Sequence, residues 1–298
     1  MNLASPRIIK DLLEKHALRP LKRFGQNFLV DEEALNRVVA AAELTPQDTV
    51  LEIGPGIGVL TQELAKTAKK VIAVEKDRNM VKILQETVGD FENVEIICDD
   101  IRRSDLPLNF GGSPTSQKYK VVGNLPFYLT APVIRKFLED TPVQPVYLVL
   151  VVQKEVGQRI CSKPPDMNIL AVSVQVYAEP KIIAYVSKNS FWPKPEVNAA
   201  IIKITPKPKL SGLFPVSLFF KIVKAGFTQP RKQLANNLSR LRQGFGGQAK
   251  YDKKKVENWL LENGIQPTQR AETLSIEDWL KLTESFCFDK IHERWQNY

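Results

Sequence analysis

The chain has 298 residues, 43% apolar and 25% charged, which is ordinary globular composition and long enough for two domains. Lys and Arg outnumber Asp and Glu by 42 to 33, and Pro206 to Tyr298 holds 16 basic against 9 acidic residues, so +7 of the net +9 lies in the last third of the chain. That balance directs a polyanionic partner to the C-terminal third, while three scattered cysteines without a CxxC pair and only two histidines, His16 and His292, argue against a disulfide framework, a zinc knuckle, a His-based metal site or a Ser/His/Asp triad.

No stretch approaches the ~18 consecutive apolar residues of a membrane span, and the N-terminus lacks the apolar core of a signal peptide. A cytoplasmic protein without membrane association is expected, with chemistry drawn from a cofactor, carboxylates and amides and with no metal. Residues 1–21 read as an N-terminal extension. Arg7, Lys10 and Lys15 there have the spacing of a transit peptide, which Asp11 and Glu14 interrupt.

Thr49 to Ile53 is a short apolar strand, followed by glycines and by a helical pattern from Val59 to Lys69. Val71 to Val74 is a second strand ending at Glu75, and Met80 to Val88 a helix. Val94 to Cys98 is a third strand, ending at Asp99 and Asp100. Lys120 to Val122 is a fourth, ending at Gly123 and Asn124, with a helix from Pro132 to Leu138. Val146 to Val152 is a fifth, wholly apolar strand. Strands alternating with helices predict a parallel sheet covered on both faces. Leu170 to Tyr177, Lys181 to Val186 and Ala199 to Ile204 read as further strands. Pro206 to Gly212 has linker composition, and Ser217–Phe227, Arg231–Leu241, Lys253–Asn263 and Ser275–Phe286 read as four helices of a small C-terminal domain. The expected division is an α/β domain over 22–205 and a helical domain over 206–298.

Gly54, Gly56 and Gly58 lie between the first strand and the first helix, where glycines permit a sharp turn against a ligand. Their G-x-G-x-G spacing after Glu52 departs from the G-x-G-x-x-G of dinucleotide sites and is similar to that of methyltransferases. Glu75 falls 21 residues after Gly54, at a strand tip where a carboxylate accepts ribose hydroxyls. Asp100, with Asp99 as its rival, stands where an acid accepts from an adenine amino group. These tips share the sheet edge at which open α/β sheets bind ligands.

Asn124-Leu125-Pro126-Phe127 follows the fourth strand. The lone pair of an adenine amine is delocalised into the ring, so an enzyme that methylates it must steer the nitrogen. An Asn carbonyl and a neighbouring main-chain carbonyl can each accept one N–H. Pro126 stiffens the backbone, and Phe127 offers a ring on which an extruded base stacks. Phe191, in Phe191-Trp192-Pro193-Lys194-Pro195, is a second stacking candidate, with core packing as its alternative.

Lys22 to Leu29 (KRFGQNFL), Glu52 to Thr61 (EIGPGIGVLT), Glu75, Asp100, Gly123 to Tyr128 (GNLPFY), Gln153 to Val156 (QKEV), Phe191 to Val197 (FWPKPEV), Phe227 to Leu238 (FTQPRKQLANNL) and Arg270 to Trp279 (RAETLSIEDW) follow in fixed order. In these blocks the chain resembles the KsgA-type ribosomal RNA adenine dimethyltransferases. The resemblance implies a Rossmann-like class I methyltransferase sheet with an all-helical C-terminal domain, S-adenosylmethionine as methyl donor, and cofactor contacts from Asn27, Leu29, Gly54, Gly56, Glu75, Asp100 and Asn124. It also implies, as substrate, two adjacent adenines in the 3′-terminal hairpin loop of 16S ribosomal RNA within an immature 30S subunit, each receiving two methyls from a monomeric enzyme. Two departures stand out: members commonly read N-L-P-Y where Phe127 stands here, and V-D-S where Val197 is followed by Asn198 and Ala199.

Lys22, Arg23, Arg231 and Lys232 are candidate phosphate contacts, as are Lys253 to Lys255 unless these form a solvated helix start. Such contacts give salt-sensitive affinity without sequence preference. The alternatives are a macrolide-resistance methyltransferase acting on 23S ribosomal RNA, a non-catalytic assembly or transcription factor of the same fold, and a DNA adenine methyltransferase, from whose [DN]-P-P-[YF] motif Leu125 departs.

Overall fold

The computed structural model describes residues 2–20, 25–103, 118–208, 216–241 and 252–295, with the side chains of Phe127 and of 287–295 left aside. It forms two compact units, Met1–Gln158 with Ala178–Lys207, and Arg159–Tyr177 with Pro208–Tyr298. Chain order gives α1 (Pro6–Lys15), β1 (Phe28–Leu29), α2 (Glu32–Ala41), β2 (Thr49–Ile53), α3 (Val59–Ala65), β3 (Lys70–Glu75), α4 (Arg78–Val88), β4 (Val94–Cys98) and β5 (Tyr119–Asn124). A 3-10 turn (Phe127–Leu129), α5 (Thr130–Arg135), a π turn (Lys136–Asp140), β6 (Leu148–Gln153), α6 (Lys154–Ile160), α7 (Ile169–Gln175), β7 (Ala178–Val186), β8 (Phe191–Trp192) and β9 (Ala199–Pro206) follow. The remaining helices are α8 (Val216–Gly226), α9 (Leu234–Leu238), α10 (Lys253–Glu262) and α11 (Ile276–Trp295).

The first unit is built on a seven-stranded sheet in the order β4-β3-β2-β5-β6-β9-β7. The strands from β4 to β6 run parallel, while β9 pairs antiparallel with both β6 and β7. Val50, Leu51, Val121, Val122, Val149 and Leu150 are all fully buried, as expected of parallel strands covered on both faces. From β2 the chain runs outward to β3 and β4, then returns to place β5 on the other side of β2. That reversal opens a crevice at the carboxyl ends of β2 and β5.

Residues 1–21, expected as an extension, contribute to this unit: Leu3, Ile9, Leu12 and Leu13 lie in the same core cluster as Phe28, Leu29 and Phe191. Pro6 begins α1, where its missing N–H is not needed. Asp31 caps α2 by accepting from the Ala34 N–H at 3.1 Å, and the Ser190 hydroxyl donates to its other oxygen at 2.6 Å. The Ser190 bond comes first among the causes that hold the Asp31 carboxyl below its ordinary range.

Two expected elements differ. Leu170 to Tyr177, read as a strand, is the helix α7, because Asn168 Oδ1 accepts from the Leu170 and Ala171 N–H groups at 3.1 Å each and fixes a first helical turn. A short β-branched apolar run does not separate strand from buried helix. This segment belongs to the second unit and not to the sheet domain in which the expected 22–205 boundary placed it. The helix expected from Arg231 is confined to α9, since the Lys232 N–H donates to Gln229 O at 2.9 Å in a turn that precedes it.

In the second unit, α7 to α11 enclose a core containing Phe219, Leu234, Trp259, Trp279 and Leu282. Trp279 is fully buried, and a Cβ added at Gly226 would stand 2.4 Å from its ring. Gly226→Ala is therefore expected to force the indole aside and destabilise the protein by about 1–3 kcal/mol. A urea-unfolding midpoint equal to that of the parent would refute this packing.

Candidate active site

The crevice at the strand tips is an open cleft lined by residues from β1, β2, β3 and β5, from the loop before β1 and from the segments after β2 to β5, including Asn27, Leu29, Glu52, Gly54, Gly56, Glu75, Asp100, Asn124 and Pro126. The glycine turn forms its floor. Gly54 donates its N–H to Val74 O at 3.0 Å, carrying the β2–β3 ladder one residue past β2. Gly56 and Gly58 have φ of +59° and +91°, and a Cβ at Gly56 would meet the Phe28 ring at 3.1 Å. Backbone handedness and close approach together require glycine there.

Glu75, 9% exposed at the end of β3, accepts from the N–H groups of Asp77 at 2.8 Å and Gly56 at 3.1 Å. Burial nevertheless raises its carboxyl above the ordinary range. Glu52, one residue before the end of β2 and 1% exposed, is pushed up to about 8, chiefly by burial. Its Oε2 has no hydrogen-bond partner among the described residues. Asp100 is the opposite case. Its Oδ1 accepts from the Arg102 main-chain N–H and Nε at 3.1 and 3.0 Å, and its Oδ2 meets Arg102 Nη2 at 2.6 Å and Lys76 Nζ at 3.0 Å. Arg102 first, then Lys76, hold it well below the usual carboxylate range despite desolvation.

Asn124 closes β5, opposite Val151 of β6. Its Nδ2 donates to the Asn27 carbonyl at 2.9 Å. With the donor end of the amide committed, Oδ1 is the end left to accept. Leu125 is anchored by its N–H on Val151 O at 3.2 Å, and Pro126 O accepts from the Leu129 N–H at 2.8 Å. The loop carrying Asn27 is tied down by Gln26 Nε2 on Asp77 Oδ2 at 3.0 Å and by Asn27 Nδ2 on Gly25 O at 3.1 Å.

Phe191 pairs with Leu29 across the small β1–β8 sheet and is 5% exposed. It packs in the core and borders a narrow recess with Asn27, Asn124, Leu125 and Pro195. The Phe127 side chain, Lys22 and Arg23 lie outside the described residues. Arg231 and Lys232 are exposed in the second unit. Sequence reasoning passed over Tyr128, 46% exposed on the cleft wall, although it closes the GNLPFY block. It also passed over the buried carboxyl of Glu52, whose signal was an acid within an otherwise apolar strand.

A family model described as Ribosomal RNA adenine dimethylase matches residues 18–286. The chain belongs to this family. It is similar to a protein of Bacillus mycoides named Ribosomal RNA small subunit methyltransferase A, with 39% identity over 295 residues, 97% of this chain and 99% of that one. Among solved structures it is similar to a dimethyladenosine transferase from Plasmodium falciparum, with 26% identity, a TM-score of 0.70, and coverage of 86% of this chain and 96% of that one. It is similar as well to the 23S rRNA methyltransferase ErmE, with 26% identity, a TM-score of 0.67, and coverage of 87% and 98%. As a member of an adenine dimethylase family, the chain is a methyltransferase with the Rossmann-like fold, and the family's chemistry implies S-adenosylmethionine as donor.

The Glu52 carboxyl carries a pH dependence that can be read without any ligand. Folded, it keeps its proton up to about pH 8, whereas its ordinary value is 4.5. The stability it contributes is fully present below the ordinary value and is lost as pH rises toward the folded one. Glu52→Gln, which cannot titrate, is expected to flatten the decline of unfolding free energy between about pH 5 and pH 8 by a few kcal/mol. Parallel stability curves for parent and variant would contradict the burial argument.

Proposed function

We propose that the chain dimethylates the N6 amino groups of two adjacent adenosines in the 3′-terminal hairpin loop of 16S ribosomal RNA, within an immature 30S subunit, using S-adenosylmethionine. The observation that carries this reading is the orientation of Asn124: its amide N–H₂ is held by Asn27 and its carbonyl is free to accept, in the same cleft as the glycine turn and Glu75. The family supplies the adenine and the ribosomal RNA, and a relative of nearly equal length named for the small subunit supplies the choice of subunit.

The cleft fits the donor. Glu75 supplies a carboxylate for ribose hydroxyls, Gly54 and Gly56 let main chain lie against a ligand, and the unpartnered Glu52 Oε2 is a buried polar atom that an ammonium group would satisfy. Asp100 accepts from the adenine amine, and Asn27 and Leu29 flank the same space. When bound, the donor presents a methyl on a positively charged sulfur.

At the target base, Asn124 Oδ1 and the Leu125 carbonyl each accept one N–H of the adenine amine. Pro126 O is taken by Leu129, which leaves Leu125 O as the main-chain partner. Both hydrogens held in this way turn the nitrogen lone pair toward the donor, so the rate gain comes from orientation and from stabilising the positive charge that develops on the amine. Phe127 serves as the stacking surface for the extruded base, while Phe191, 5% exposed and packed in the core, does not. Lys22, Arg23, Arg231 and Lys232 neutralise phosphates without reading sequence. A monomer acting in the cytoplasm completes the proposal.

Labelled S-adenosylmethionine with immature 30S and 50S particles, assayed side by side, tests it. Dimethyladenosine in small-subunit RNA is expected, and label confined to large-subunit RNA would transfer the assignment to the 23S reading that the likeness to ErmE keeps as the second choice. In the same assay Asn124→Ala should lower turnover by about 10²–10³-fold, the usual loss for one preorganised polar contact to a transition state. Cofactor binding should stay largely intact, and undiminished turnover would remove the steering mechanism.

A further inference from the structure

We propose that Lys76 and Arg102 act on Asp100 in opposite senses when the nucleoside end of the cofactor binds: Arg102 holds the carboxylate in place, while Lys76 occupies the acceptor position that the adenine amino group takes over. The inference rests on the reading above, in which Asp100 accepts from that amino group.

A carboxylate offers about four acceptor positions, and in this structure four donors fill them, three from Arg102 and one from Lys76. An incoming amino group can reach Asp100 only by replacing one. Arg102 grips both oxygens with its guanidinium and one of them again with its own main-chain N–H, so releasing it breaks several bonds at once. Lys76 makes one contact, at 3.0 Å, from a side chain 46% exposed. Its ammonium is compact, strongly hydrated and carried on a flexible stem, so water compensates it on leaving. Lys76 also lines the cleft, which puts the departing group on the ligand's side of Asp100.

Arg102 is therefore a positioning residue, and Lys76 is a competitor that the ligand displaces.

The test measures Kd by calorimetry on the full chain for two ligands whose sulfur is uncharged: S-adenosylhomocysteine, and its 6-deamino purine analogue, in which hydrogen replaces the amino group. Lys76→Met should tighten S-adenosylhomocysteine by roughly twofold to fivefold, the scale of one exposed ion pair. Arg102→Met should weaken it by roughly threefold to tenfold as the carboxylate loses its anchor. The 6-deamino analogue should distinguish neither variant from the parent. Thermal midpoints within a few degrees of the parent's, expected on general grounds for exposed side chains, keep a folding defect from imitating the effect. Weaker or unchanged S-adenosylhomocysteine binding by Lys76→Met, or equal shifts for both ligands, overturns the inference while leaving the cofactor reading intact. Failure of the parent chain to bind S-adenosylhomocysteine at all overturns both.

Discussion

The 2.9 Å hydrogen bond from Asn124 Nδ2 to the Asn27 carbonyl decides which face of an amide the cleft presents. An amide has a donor end and an acceptor end, and an adenine amine needs an acceptor. With the N–H₂ group bound to main chain, the carbonyl is the end that a ligand meets. The bond joins residues 97 positions apart, so it exists only because the sheet forms and the segment around Asn27 is pinned beside it. Gln26 on Asp77, Asn27 on Gly25, and the pairing of Leu29 with Phe191 do the pinning. Only the Asn27–Gly25 bond is local in sequence, and the three together align one side chain.

The strand order divides the labour. Glu75 and Asp100 lie at or just past the tips of β3 and β4, the glycine turn follows β2, and Asn124 ends β5 on the far side of the reversal. A ligand lying across the crevice therefore meets acids at one end and amide and carbonyl acceptors at the other. Three carboxyl groups near the tips sit in three different environments. Glu52 is buried with an unpartnered oxygen, Glu75 is buried but held by two main-chain N–H groups, and Asp100 is clamped by two cations. Their proton affinities differ because desolvation dominates the first two and ion pairing the third.

The sheet and its strand tips were legible because parallel strands leave unbroken apolar runs and because acids and glycines at the ends of such runs have few structural uses. The run Val172 to Val176 misled, since β-branched residues favour strands and the deciding signal was a single Asn at position 168 acting as a cap. What sequence did not contain was orientation. Nothing in N-L-P-F says that Pro126 O is consumed by Leu129 while Asn124 turns its donor end toward Asn27. The cations on Asp100 were equally invisible, because nothing in the sequence around Lys76 and Arg102 says that folding brings both onto one carboxylate. Phe191 was a stacking candidate with core packing as its alternative, and its pairing with Leu29 places it in the core.

Strongly perturbed acids in a cleft ordinarily mark general acid or base catalysis. In the proposed reading they serve binding. Glu52 and Glu75 belong to β2 and β3, around the glycine turn proposed to take the donor, whereas the groups proposed to hold the reacting amine, Asn124 and the Leu125 carbonyl, do not titrate at any accessible pH. That arrangement suits a reaction whose difficulty is the delocalised lone pair of the nucleophile: a base acting early would have to remove a proton from a very weakly acidic amine, while two fixed acceptors redirect the lone pair without moving a proton. On that reading the amine would shed its hydrogen after the new bond to carbon has formed and the sulfur has left, when the nitrogen is cationic and acidic and water suffices as acceptor. Non-titrating acceptors at one end and buried acids at the other are thus two halves of one requirement, to hold a cationic donor and a neutral nucleophile in line.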